Sequence, residues 1–324
     1  MDNCLLTFII PTYNRCKALD ENLQQLYEDS KYYHFNIIVC NNASTDDTLS
    51  VISKWKNQFE NFQVINQAEN LLYARNVTSG YLSVKTDYCM VLGDTYTLDV
   101  INIGKIYDLL IKQRPTAVIV NILDVVKDNS KYYEDVNDLI VELGWYTTLL
   151  SSCVISREFI KKETLLRYRD TRFLHMGIFF DYLALQDHIK VFFDNNIKLS
   201  QIRILKKGGK EGWRSTPFKV FAEGWFYFVA SLPNTIKWEN KMKCIKSHDI
   251  KKNFFHPFYM LLFKLSGEIS FNDYKECRYI VKHVTRHNIF YYDIINLIPS
   301  MPWLFNIVKP AVKKLFGTKR PFLK

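Results

Sequence analysis

The sequence predicts a doubly wound α/β domain followed by a helical C-terminal region. Two observations carry this. Apolar runs without alternation, such as Phe8-Ile9-Ile10 and Ile37-Ile38-Val39-Cys40, stop abruptly in polar residues, as strands buried on both faces do. Stretches with helical spacing lie between such runs, and alternating strands and helices of this length build a largely parallel sheet.

The first strand runs into Pro11-Thr12-Tyr13-Asn14-Arg15, after which Leu19, Leu23 and Leu26 fall on one face of a helix crossing back over the sheet. The second strand ends in Asn41-Asn42-Ala43-Ser44-Thr45-Asp46-Asp47-Thr48. There Ser44 and Asp47 have capping-box spacing, and Leu49, Ile52 and Trp55 supply the apolar face of the helix that follows. Residues 62–65 read as a third strand, and 72–84 as a helix with Tyr73, Val77 and Tyr81 on one side. Residues 88–92 form a fourth buried strand that ends in Gly93-Asp94-Thr95-Tyr96. Ligands collect beyond the carboxyl ends of parallel strands. Thr12, Tyr13, Asn14 and Arg15 should therefore line a pocket, with Asn41, Asn42 and Asp46 beside them.

Residues 149–155 read as a further core strand and 171–185 as the next helix. Beyond Thr216 the pattern turns helical, over 218–232, 254–265 and 274–285. The expected division is an α/β domain over 1–216 and a helical region over 217–324.

The 324 residues, 48% of them hydrophobic, are enough to bury a substantial core. Seven scattered cysteines form no CxxC pair, which fits a reducing compartment better than a disulfide framework or a zinc site. Met1 to Cys4 carries an Asp and runs straight into the first strand, unlike a secretory signal. No window approaches the roughly 18 uninterrupted apolar residues that span a bilayer. A cytoplasmic protein is expected.

The net charge of +10 requires a partner. In the first half, basic residues are not interleaved with aromatics on a recognisable nucleic-acid-binding module, so nucleic acid is not expected. They concentrate late. From Phe290 onward, aromatic and aliphatic bulk (Tyr291, Tyr292, Ile294, Trp303, Phe305) leads into Lys309, Lys313, Lys314, Lys319, Arg320 and Lys324. This mixture suits the interface of an anionic membrane, and equally a packed helix with a solvated basic tail. The segment Lys206-Lys207-Gly208-Gly209-Lys210-Glu211-Gly212-Trp213-Arg214 is glycine-rich and basic, as a loop closing over a diphosphate would be. Lys210 and Arg214 are candidates there for contacts to a phosphate-like anion, and Trp213 for stacking on a ligand. A plain surface linker is the other reading.

Four linked motifs carry a resemblance: Ile10 to Arg15, Asn41 to Thr48, Asn70 to Gly80 and Leu92-Gly93-Asp94. In order and spacing they resemble the nucleotide-sugar half of family-2 glycosyltransferases, and within that family bacterial surface-polysaccharide enzymes of the abequosyltransferase-like kind. The likeness is strong from Leu5 to Leu98, looser to Leu185 and weak beyond. It implies a GT-A fold, a nucleoside-diphosphate sugar donor, a polyprenyl-linked saccharide acceptor at the inner membrane face, and inversion at the anomeric carbon. Pro11, Thr12, Tyr13, Asn14, Arg15, Asn42, Arg75 and Asp94 become the donor-site candidates, with Asn42 standing where the family often has Asp.

The family usually binds Mg2+ or Mn2+ through Asp-x-Asp. Here only Asp94 stands, Thr95 takes the position of the principal metal-binding carboxylate, and the motif is incomplete. The other reading of Asp94 is a cap for a helix beginning near Thr97. His175 takes the aligned position of the catalytic base, with Asp181 and Asp170 as alternatives. Trp225 is a candidate for the acceptor pocket, or a core aromatic. A nucleotidyltransferase and a non-catalytic scaffold are the competing functions, although Pro11 to Arg15 lacks the glycine that a nucleotidyltransferase loop usually carries.

Overall fold

The computed structural model describes residues 4–202 and 214–316, which fall into two compact units: 4–202 with Leu232–Ile236, and 214–231 with 237–316. The first unit begins β1 (Leu6–Thr12), α1 (Cys16–Asp29), β2 (Phe35–Asn41), α2 (Thr48–Lys56), β3 (Phe62–Asn66), α3 (Leu72–Leu82) and β4 (Tyr88–Val91). It continues through β5 (Tyr96–Thr97), α4 (Val100–Gln113), β6 (Ala117–Ile122), β7 (Lys131–Tyr133) and α5 (Val136–Leu143). It closes with β8 (Cys153–Ser156), α6 (Lys162–Tyr168), α7 (Leu174–Leu183) and β9 (Val191–Gln201).

The strands form one sheet in the order β3-β2-β1-β4-β8-β6-β9-β5, with β7 on β9. The first four are parallel, β8 runs antiparallel to both neighbours, and β9 pairs parallel with β6. Phe8, Ile9 and Ile10 are wholly buried, as expected of a strand covered on both faces. From β1 the chain builds β2 and β3 on one side, then crosses to β4 on the other. That reversal opens a crevice at the carboxyl ends of β1 and β4.

Helix α1 buries Leu19, Leu23 and Leu26 against the sheet, and α3 buries Val77 and Tyr81. The approach of α3 depends on Gly80, where a Cβ would sit 2.6 Å from Ile9 Cγ2 and 2.7 Å from Cys40 Sγ. That is too close for any side chain.

Three local expectations are corrected. The capping box at α2 does not form: Ser44 Oγ accepts from Asn14 N at 3.0 Å, while the Asp46 carboxylate accepts from Thr48 N at 3.1 Å. Asp94 does not cap the helix after it, because α4 starts at Val100 and Asp99 accepts from Asn102 N at 2.8 Å. The strand expected over 149–155 is confined to β8, since Ser152 N turns back onto Leu149 O.

In the second unit a wide π-type stretch, Lys219–Gly224, leads into α8 (Trp225–Ala230), α9 (Trp238–Lys252) and α10 (Pro257–Ser266). Then follow α11 (Tyr274–Val284), α12 (Ile289–Leu297) and α13 (Pro302–Phe316). Phe218, Trp225, Phe255, Tyr274 and Tyr292 fill its core, and Leu262 and Leu265 pack on Phe305 and Val312. Phe290, Tyr291, Ile294 and Leu297 of α12 are exposed, as are Trp303 and Ile307 of α13. Among the described residues, no helix is long and apolar enough to cross a membrane.

Candidate active site

Asp94 lies just beyond β4 and is almost fully buried. Thr12, the last residue of β1, donates from Oγ1 to Asp94 Oδ2 at 2.9 Å, and Arg15 Nη1 meets Oδ1 at 3.0 Å. Burial raises the Asp94 carboxyl above its ordinary pKa, opposed by the Arg15 charge and by these two bonds. The adjacent Gly93 N donates to Ser151 Oγ at 2.9 Å, pinning the loop from behind. The β1 and β4 ends are thus stitched together where the strand order reverses.

The loops after β1 and β2 are laced in the same way. Asn14 takes a left-handed conformation (φ 51°), which Asn tolerates better than most residues. Its Oδ1 accepts from Thr45 N at 2.7 Å. Asn42 donates from Nδ2 to Asn70 Oδ1 at 2.8 Å and accepts at Oδ1 from Leu71 N at 2.9 Å. One N–H and one lone pair of its amide remain for a ligand. Asp46 accepts from Cys16 N at 3.1 Å, bracing the start of α1. Pro11 stays in register with Cys40, and Tyr13 projects, exposed, from the loop.

His175 sits in the first turn of α7, with Nε2 3.3 Å from Thr148 O. A carbonyl can only accept, so Nε2 carries the proton and the lone pair resides on Nδ1. Nδ1 is shielded from solvent and has no hydrogen-bond partner. Burial pulls the His175 pKa down to about 4, against the bonds from the Thr148 and Thr147 main chain that raise it. Beside the ring is a cavity of about 10 Å³, lined in part by Thr147, Leu150 and Cys153, at the lower limit for one water. The Tyr73 ring stands edge-on at 6.0 Å, and its hydroxyl also lacks a partner.

The alternative carboxylates are already engaged. Asp181 accepts from Arg167 Nη1 and Tyr168 OH at 3.0 Å and from Thr164 Oγ1 at 3.3 Å, tying α6 to α7. Asp170 holds Arg75 through Nε at 2.8 Å and Nη2 at 2.6 Å. That guanidinium keeps the Asp170 carboxyl below its usual range, the opposite of what a general base requires. Arg75, expected near the nucleotide, is therefore half of an exposed ion pair.

Arg214 belongs to the second unit, where its carbonyl accepts from Ser270 N at 2.9 Å. Trp225 is a correction: it is fully buried and donates to Ile245 O at 3.1 Å, so it presents no face to an acceptor. Lys210 and Trp213 lie outside the described residues. Sequence reasoning passed over Asn70 and Ser151 as site-shaping residues. Asn70 opens a motif already singled out, whereas Ser151 gives no local signal.

The expectation of Mg2+ or Mn2+ on Asp94 meets a specific obstacle. Both carboxylate oxygens are taken by protein donors, one of them a cation, and Thr95 and Tyr96 supply no second carboxylate. Among the described residues no group of three or more His, Cys, Asp or Glu could hold a metal ion. The residues present do not fit a divalent ion. A concavity of about 910 Å³ opens beside Leu5, Asp87 and Arg157. It lies at the amino ends of β1 and β4, the wrong end of the strands for this site.

Among solved structures, the chain is similar to Staphylococcus aureus TarS (residues 1–349, in complex with UDP-GlcNAc), with a TM-score of 0.59, 12% identity and 90% of each chain covered. It is also similar to the Pyrobaculum calidifontis mannosyltransferase PcManGT in complex with GDP-Man and Mn2+, with a TM-score of 0.50, 12% identity and 91% and 87% coverage. At these identities the likeness establishes the GT-A fold. By sequence, 92 residues are 36% identical to the abequosyltransferase RfbV of Salmonella typhimurium, covering 28% of this chain and 27% of that protein. A further 160-residue match, 23% identical, is to the dolichyl-phosphate β-glucosyltransferase ALG5D of Trichomonas vaginalis, covering 46% of this chain and 49% of that one. The chain thus matches about a quarter and a half of the lengths of these relatives. Residues 7–182, more than half of the chain and the span that holds Thr12, Arg15, Asp94 and His175, match the model of glycosyl transferase family 2, and the chain belongs to that family.

Proposed function

We propose that this protein is an inverting glycosyltransferase that moves a sugar from a nucleoside diphosphate to a lipid-linked saccharide in surface-polysaccharide synthesis. The observation that carries this is the convergence of Thr12, Arg15 and Asp94 at the strand reversal, with Asn14 and Asn42 on the adjoining loops. Polar groups beyond buried parallel strands are where such folds bind nucleotides. The relatives that handle abequose, UDP-GlcNAc and GDP-Man support a sugar-nucleotide donor.

In the proposed reaction an acceptor hydroxyl attacks the anomeric carbon opposite the diphosphate. The new C–O bond forms as the bond to the phosphate oxygen breaks, so a single displacement inverts the centre. The hydroxyl proton passes, through one water in the small cavity beside the ring, to His175 Nδ1, whose lone pair is the one left open by the Thr148 bond. The nucleoside diphosphate departs with the electron pair. Burial keeps the imidazole neutral, so its lone pair is available when the hydroxyl arrives, although the lowered pKa makes it a weaker base than a free histidine; proton transfer of this kind contributes about 10²–10⁴-fold.

The acceptor reading draws on the second unit. Exposed Phe290, Tyr291 and Leu297 stand on α12 and Trp303 on α13, which also carries Lys309, Lys313 and Lys314, chemistry suited to an anionic membrane surface. A peripheral position on the cytoplasmic face of the membrane follows from this reading.

The test is calorimetric titration of the purified chain with UDP, GDP, CDP and dTDP, followed by incubation of the corresponding sugar nucleotides with polyprenyl-diphosphate saccharides. Binding of one nucleoside diphosphate and transfer to a product of inverted anomeric configuration is expected. Failure to bind any of them would leave the scaffold reading.

A further inference from the structure

The Arg15–Asp94 pair has the wrong chemistry for a metal site and the right chemistry for an anion site. We infer that the Arg15 guanidinium, fixed on Asp94, is the cation this chain presents to a nucleoside diphosphate in place of a divalent ion. The inference rests on the donor-site reading given above and adds to it how the diphosphate charge is met.

Three observations carry it. The Asp94 side chain is 4% exposed and both its oxygens are bonded, to Thr12 and Arg15, so a divalent ion would have to displace a guanidinium from a buried carboxylate. Hard divalent ions need several oxygen ligands; Thr95 and Tyr96, next to Asp94, supply no carboxylate, and the described residues hold no group of three or more His, Cys, Asp or Glu that could bind a metal ion. The Arg15 side chain, by contrast, is 55% exposed. Only Nη1 is held; among the described residues no hydrogen bond is made by its remaining N–H groups, and they are open to solvent. A guanidinium has five donors in a planar fork that matches phosphate oxygens two at a time.

The position agrees with the chemistry. Arg15 is the residue before α1, at the crevice where the strand order reverses. The positive end of α1 and exposed Lys17 follow Arg15 directly in the chain. The pair sums to zero charge, so its contribution comes from aimed N–H bonds and from a guanidinium already held in place, which lowers the ordering cost of binding. Asp94 is then a positioning residue and Arg15 the contact.

The test uses the full chain and the nucleoside diphosphate that binds best, by calorimetry in EDTA and again in Mn2+. Affinities within about twofold in the two buffers are expected. Arg15→Ala should lower affinity for the diphosphate by about tenfold or more, the size of losing hydrogen bonds to a charged group. Arg15→Lys should restore part of it, and affinity for the nucleoside alone should be unchanged in all variants. Because Arg15→Ala strips a buried carboxylate of its partner, Asp94→Asn serves as a second variant. It should weaken binding in EDTA with no recovery in Mn2+. Binding that disappears in EDTA and returns with Mn2+, or that is indifferent to Arg15→Ala, overturns the inference while leaving the donor site intact. Absence of binding in both buffers overturns the donor site and the inference together.

Discussion

Arg15 and Asp94 are 79 residues apart in the chain and 3.0 Å apart in the fold. Their pairing joins the turn after β1 to the turn after β4, and Thr12 closes the same triangle. A carboxylate this deeply buried persists only with partners, so the geometry of the crevice and the ionisation of Asp94 depend on each other.

Removing that carboxylate should be felt twice. Asp94→Ala is expected to cost about 1.5–3 kcal/mol of stability, the net worth of a hydrogen bond to a charged group, and to weaken donor binding substantially. Urea unfolding and nucleotide titration measure the two effects. Unchanged binding and turnover would mark the motif as vestigial.

His175→Ala should lower turnover by at least about 100-fold, within the range for a general base, with nucleotide affinity almost intact. Wild-type turnover in this variant would remove the histidine from the mechanism.

The fold should weaken in mild acid. His175 and His248 both have their pKa pulled down to about 4 by burial, against about 6.5 unfolded. Between these values the unfolded chain binds more protons, so stability is full above pH 6.5 and is lost as pH falls toward 4. From pH 7 to pH 5 the loss is up to about 2 kcal/mol per histidine. Urea midpoints should fall across that window, and His248→Asn should flatten the decline; a slope unaltered by the substitution would contradict the assignment.

Gly80→Ala is expected to destabilise by about 1–3 kcal/mol, because its Cβ would overlap Ile9 and Cys40 in an interior with no slack. The gain in helix propensity from alanine is about 1 kcal/mol at most. A thermal midpoint equal to wild type would show that α3 can move away from the sheet.

The helices α12 and α13 should bind vesicles rich in phosphatidylglycerol, with affinity falling as salt rises. Leu297→Ser with Trp303→Ser should release the protein without loss of nucleotide binding, as read by co-sedimentation, since both side chains are exposed and can be changed without opening a core. Equal retention of the variant would point to a solvated tail.

Much of the first unit was legible in the order of residues. The buried strands announced themselves as unbroken apolar runs, and Leu19, Leu23 and Leu26 marked the covered face of α1, because burial on one face has a period that a sequence displays. Thr12, Asn14, Asn42 and Asp94 were legible for the same reason: polar residues that end a buried strand must sit at its rim. Partnership was not legible. Ser44 was expected to cap a helix and instead holds Asn14; the ion pair of Arg75 with Asp170, 95 residues apart, left no trace in the pattern; and between the two readings of Trp225, acceptor pocket or core aromatic, the fold chose the core.

By itself, then, the sequence determined which segments would be buried strands, in which order they would come, and which polar residues would stand at their ends, since these follow from local pattern and chain connectivity. Only the tertiary structure decided that β1 and β4 are neighbours across the reversal and that Arg15 pairs with the buried Asp94 carboxylate. Such choices are made among groups distant in sequence, by the requirement that every buried charge and hydrogen-bonding group find a partner.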